Sequence, residues 1–203
     1  MMSTPLKNAE KNEVLLSHLQ KRRSVPSLNL AGDRPDDTKI AAMLEIAARV
    51  PDHGKLAPWR FVVYPQNAGG EIGTYLSQLW GSENAEASEE RLELEKIRFA
   101  RAPLVIGVVS CPIKDHKIPT WEQELSAGAV CLNLIHAAYG YGYIGQWLTE
   151  WYTFNEAAAR HLGAGAGERF AGFIHIGSPT IEPSERPRPV INDITTTWSG
   201  STA

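Results

Sequence analysis

The sequence predicts an α+β fold, on three observations. Runs of strand composition at 60–64, 103–109 and 170–177 are separated by segments with helical apolar spacing. A helix from about 122 to 138 is apolar nearly all round, which demands burial from most directions. The glycine-rich stretch behind it, 140–147, does not open a helix after a strand, so a Rossmann nucleotide fold is disfavoured.

Each element has a local cause. Residues 13–21 carry Leu15 and Leu19 on one helical face, and Pro26 stops continuation. Asp36 and Asp37 precede a helix with Ile40, Met43, Leu44 and Ala47 along one stripe, and Arg49 follows its end. The strand at 60–64 closes at Pro65, and Gly69 and Gly70 mark a turn before a helix over 71–80. Residues 82–100 are rich in Glu, Arg and Lys with Leu92, Ile97 and Phe99 interspersed. They read as a solvated helix with one docking face, with a mobile cover over a ligand as the other reading. The run 103–109 is continuously apolar, as an interior strand is. Residues 140–147 form a turn into a short strand, 170–177 a strand ended by Pro179, and Val190 to Thr195 has strand-forming residues.

Composition bounds the function. The chain has 203 residues, 43% of them apolar, and a formal net charge of −3, which suits one domain over 1–203 with a substantial core. Residues 1–10 are expected to be flexible and 180–203 to form a C-terminal extension. No long basic block is present, which disfavours nucleic acid as a partner. No apolar signal core or bilayer-length apolar run appears, so a cytoplasmic protein without a membrane partner is expected. Cys111 and Cys131 lack CxxC spacing and read as buried free thiols. The histidines show no metal-ligand pattern, so no metal is expected, and Glu122 and Glu124 read as first-turn carboxylates favouring the helix N-terminus.

The chemistry-bearing residues lie in four places. Arg22-Arg23-Ser24 ends the first helix, where two guanidinium forks beside a hydroxyl suit a phosphate. The segment from Val50 to Trp59, VPDHGKLAPW, supplies polar edges and an aromatic wall. Three glycines within 140–145 allow a flat ligand close to the backbone, though glycines after a helix also serve as a stop. Arg186-Pro187-Arg188-Pro189 lies in the tail.

In order and spacing these segments, together with Arg101-Ala102-Pro103 and Trp121 to Gly128, resemble the nitroreductase family of FMN flavoproteins, in its compact single-domain subgroup, over nearly the whole chain. The resemblance implies a nitroreductase-like fold, with a central, mostly antiparallel or mixed sheet flanked by helices, in an intertwined homodimer that binds FMN at its interface. A central core helix in a monomer is the other explanation of the apolar 122–138 segment. It implies cofactor contacts from Arg22, Arg23, Ser24, Arg49, His53, Lys55, Gly145, Gln146, Trp147, Leu148, Thr149 and Arg188, although Trp147 is equally readable as a core residue. The tail is expected to embrace the second subunit.

It also implies NADH or NADPH as hydride donor, ping-pong passage to a nitroaromatic, quinone or similar acceptor, and chemistry carried by the flavin without a catalytic side chain. The alternative is a flavin store or redox sensor without efficient turnover. Two departures stand out. Pro26 occupies a position where many relatives carry Lys or Arg, leaving Arg49, His53 or Lys55 to stabilise reduced flavin. Ala57 replaces the Gln that commonly precedes the Pro-Trp pair.

Overall fold

The computed structural model describes residues 10–65 and 67–200. The expectation for 1–10 falls almost wholly outside them. The chain's contacts divide it into two compact units: Ser24–Glu182, and a smaller unit made from both ends of the chain, up to Arg23 and from Pro183 onward.

The large unit is built on a five-stranded antiparallel sheet. Its strands are β1 (Leu30–Ala31), β2 (Trp59–Tyr64), β3 (Leu104–Ser110), β4 (Ile144–Leu148) and β5 (Arg169–Pro179). The order is β1-β5-β3-β2, with β4 also paired to β5. β3 is buried at every position because both sheet faces are covered. Ile106 and Val108 enter one core with Ile174 and Ile176, beneath α2 (Asp37–Ala47) and α5 (Thr120–Gly140). Val105, Val109 and Phe173 enter the other, with Leu76 from α3 (Ala68–Glu83) and Leu162 after α6 (Glu156–His161). That alternation is the two-residue period of a pleated strand, and a strand covered on both faces must be apolar throughout.

Local signals place the helices. Asp36 is the N-cap of α2, its carboxylate accepting the Lys39 backbone N–H at 2.8 Å. The charged segment yields α4 (Glu89–Lys96), capped by Ser88 and packed on α3. Gly73 makes this crossing possible, because a Cβ there would lie 1.8 Å from the Lys96 carbonyl oxygen. Glu95, on α4, is fully buried, held by Nε and Nη2 of Arg98 at 3.0 and 2.9 Å, by Arg91 and by Trp151 Nε1 at 2.7 Å. The docking-face reading of 82–100 therefore holds, and the docked face carries an ion pair as well as Phe99.

The small unit contains α1 (Glu13–Lys21), capped by Asn12, and the C-terminal segment. Residues Ile191–Ile194 form one 3-10 turn and not the strand their composition suggested. β-branched residues favour a strand only where a neighbouring strand supplies the ladder, and none pairs with this segment among the described residues. Leu15 and Leu19 are exposed on α1, as are Val190, Ile191, Ile194 and Trp198 in the tail.

Candidate functional site

In the small unit, the structure brings together three of the site residues named from the sequence, Arg22, Arg23 and Arg188, and adds Arg186. Arg23 Nη1 meets Glu185 Oε1 at 2.5 Å, and the same oxygen accepts Arg188 Nε at 3.1 Å and the Arg186 backbone N–H at 2.8 Å. Two guanidiniums thus meet one carboxylate oxygen, and Arg22 and Arg186 add positive charge nearby. Their crowding is visible in Arg22, whose pKa is pulled down first by burial and then by Arg188, Arg23 and Arg186. Arg22 Nη1 is buried without a hydrogen-bond partner among the described residues. An unpaired buried donor inside a surplus of positive charge is costly unless an acceptor with negative charge meets it.

In the large unit, the chain that continues from Ser24 is tied to β4. Gln146 Oε1 accepts the backbone N–H of Ser27, three residues after Ser24. Two glycines of this region also have local structural causes. Gly142, at φ 83°, ends α5 in the left-handed conformation. A Cβ on Gly145 would press on Ile135 at 3.3 Å, so that glycine serves helix–strand packing. Trp147 is half exposed; its indole crosses Gly172, where a Cβ would fall 1.9 Å from Nε1, and donates to the Ala171 carbonyl at 3.1 Å. Gly128 on α5 faces the other end of that ring.

Arg49, His53 and Lys55 lie on an exposed loop after α2. Asp52 organises it: its carboxylate accepts the backbone N–H groups of Leu56 at 3.1 Å and Ala57 at 2.8 Å. The loop also holds left-handed backbone at Gly54, Lys55 and Ala57, with φ of 76°, 56° and 46°, a cost non-glycine residues sustain where surrounding contacts over-determine the conformation. His53 Nδ1 sits 2.8 Å from Glu122 Oε2. Glu122 thus lies in the first turn of α5, as expected, and also reaches out to the loop. Ser126 Oγ and Asn133 Nδ2 bind the carbonyls of Pro51 and Ile46.

These contacts put α5 at the centre of the site. At about 100° per residue, positions 122, 126 and 133 form one flank, which holds the loop, and 128 and 135 form another, which faces β4. Between the flanks run Trp121, Leu125, Leu132 and Tyr139, all exposed. An apolar stripe thus separates the two groups of large-unit site residues named from the sequence.

Sequence reading missed two supports. Glu150, immediately after Thr149, is clamped by Arg98 and by Arg101 at 2.9 Å, which fixes the end of β4 to the α4 region. His175, paired in register with Gln146, is fully buried and held neutral, its pKa lowered to about 3 by burial and then by Arg101. Both contacts span long stretches of sequence and carry no local signature. The thiols behave as expected in part: Cys131 is buried and Cys111 half-buried, both free. Among the described residues no His, Cys, Asp and Glu cluster has the geometry of a metal site, and no helix is long and apolar enough to cross a membrane.

The fold and this site define an antiparallel α+β protein with a cluster of arginines in its small unit. Residues 19–178 match the model of the nitroreductase family. The chain is 30% identical over 169 residues, 83% of its length and 90% of the relative's, to the protein named "Putative NAD(P)H nitroreductase YdjA" of Escherichia coli strain K12. A nitroreductase-like family protein from Bacillus cereus superposes with a TM-score of 0.75 at 21% identity, covering 97% of this chain and all of that one. A nitroreductase with bound FMN from Bacteroides fragilis gives a TM-score of 0.64 at 18% identity, with 95% and 98% covered. The chain belongs to the nitroreductase family.

Proposed function

We propose that this protein is an FMN-dependent NAD(P)H oxidoreductase acting as a homodimer. The observation that carries the reading is the arginine cluster with the buried, unpartnered Nη1 of Arg22. It fits the phosphate of FMN, a dianion whose three terminal oxygens match guanidinium forks. Bound FMN supplies hydride acceptance and its return to a second substrate.

The chain's own residues then have distinct tasks. Arg22, Arg23 and Arg188, with the Ser24 hydroxyl, hold the phosphate. Gly145 to Thr149 present β4 backbone and the Trp147 edge to the ring system, on a strand braced by Gln146 and Glu150. The loop bearing Arg49, His53 and Lys55 supplies positive charge that stabilises the reduced ring and raises its potential. His53 is the best placed to be oriented, through Glu122. The stripe of Trp121, Leu125 and Leu132 is covered by a second copy, because an exposed apolar helix face flanked by polar residues marks an interface, and this brings loop and β4 residues to one interface. Nitroaromatics, quinones and similar small acceptors are reduced in a ping-pong cycle in which donor and acceptor use the same face in turn.

The experiment is an anaerobic titration of the purified flavin-loaded protein with NADH and with NADPH, followed by an acceptor. Bleaching near 450 nm by one nicotinamide and recovery with nitroaromatic or quinone is the expected result. Bound flavin that fails to bleach would establish the storage or sensing alternative instead.

A further inference from the structure

A cavity of about 250 Å³ opens in the large unit where the end of β3, the start of β5, the first turns of α5 and the chain after β4 meet. Its lining includes Ser110, Glu124, Thr149, Thr153, Phe154 and Arg169, with Gly128 of α5 leaving one wall without a side chain. A second cavity of about 310 Å³ shares Thr153, Phe154 and Arg169 and continues past the 164–168 turn. These shared residues stand between the two openings.

Their chemistry is uncommitted. Phe154 is 77% exposed, a large aromatic surface with nothing stacked on it among the described residues. Arg169 is 77% exposed at its side chain and meets Glu124 through Nη2 at only 3.4 Å, so most of its donor fork is unused. Ser110 and Thr153 are each only 6% exposed, and each hydroxyl oxygen is buried without a partner among the described residues. Buried hydroxyls without partners are uncommon and costly. A flat ring against Phe154 with a planar anionic group on Arg169 would use the two exposed features.

We propose that this cavity binds a small aromatic carboxylate, with Phe154 as the ring platform and Arg169 as the group that recognises the carboxylate. Glu124 is the competing internal anion, so its charge sets the affinity. Because Thr149 lines the cavity, the ligand's role, resting on the flavoprotein reading, is that of acceptor: carboxylated nitroaromatics are preferred over neutral ones of the same size.

The test separates the two layers. Benzoate, benzamide and benzyl alcohol are titrated calorimetrically into the purified protein. Benzoate is expected to bind roughly tenfold or more tighter than the neutral pair. Arg169→Met should abolish that preference, and Glu124→Gln should tighten benzoate several-fold. Both side chains lie at the surface, so these variants keep the fold. In turnover, the ratio of kcat/KM for 4-nitrobenzoate over 4-nitrobenzyl alcohol should drop roughly tenfold in Arg169→Met. Equal affinity for the three ligands, or a preference that survives Arg169→Met, overturns the proposal. Benzoate selectivity in a protein that never binds FMN would uphold the site and refute the flavoprotein reading instead.

Discussion

Gln146 Oε1 and the backbone N–H of Ser27 form a 2.5 Å hydrogen bond between β4 and the chain that follows the arginine pair. Ser27 is buried, so removing the acceptor strands a donor away from water at about 1 to 3 kcal/mol. Gln146→Ala should lower the unfolding temperature and weaken FMN binding by roughly tenfold, a loss of about 1.4 kcal/mol. Differential scanning calorimetry and flavin fluorescence titration read the two effects separately.

Glu168 supplies a pH dependence. Its carboxyl pKa falls from an ordinary 4.5 to about 2, chiefly through the Arg60 guanidinium bound to it. A carboxylate with a depressed folded-state pKa contributes stability above its unfolded pKa and loses it as pH falls through the folded one. Stability should therefore decline between about pH 4.5 and 2, and Arg60→Met should flatten that slope in urea unfolding. The same carboxylate lies 3.1 Å from Cys111 Sγ. Burial first, and then Glu168, push the Cys111 thiol up to about 11, so alkylation at pH 8 is expected to be slow and faster in Glu168→Gln.

The exposed α5 stripe predicts assembly. Leu132→Glu puts a charge into the surface that a second copy would bury, an arrangement costing several kcal/mol when unpaired. The variant should sediment as a monomer and retain little FMN while its far-ultraviolet circular dichroism stays native. A dimer of unchanged affinity would move the interface elsewhere.

The loop at Ala57 stores backbone strain, with φ at 46°. Ala57→Gly relieves a left-handed alanine, a conformation costing roughly 1 to 2 kcal/mol for a residue with a Cβ, partly offset by the entropy glycine adds to the unfolded chain. A rise of about 2 to 4 °C in the unfolding temperature is expected for each kcal/mol regained.

What was legible in the chain was what is local. Asp36 before an apolar 3.6-period announced α2, and the unbroken apolar run announced β3 as interior, because caps and periodicity depend only on neighbours in sequence. β1 was not legible: Leu30 and Ala31 become a strand only by pairing with Pro179 and Ser178. Val190 to Thr195 failed in the opposite sense, having strand composition without a partner strand. Of the site, the arginines and the His53 loop were readable as residue types. The Glu95, Arg98 and Glu150 contacts were not, since a charged helix face reads as solvated until its long-range partners are known. Nor did the glycines around β4 announce that Gly145 makes room for Ile135, or that Gly172 makes room for Trp147.

The central proposal is that Arg22, Arg23 and Arg188 hold the phosphate of a flavin. Fluorescence titration of flavin-free protein with FMN and with riboflavin, which lacks only that phosphate, tests it most directly. FMN is expected to bind at least about a hundredfold tighter, the worth of one to two charge-assisted hydrogen bonds, with the gap closing in Arg22→Met and Arg188→Met. Equal affinity for the two flavins, or a gap untouched by both substitutions, would contradict the account.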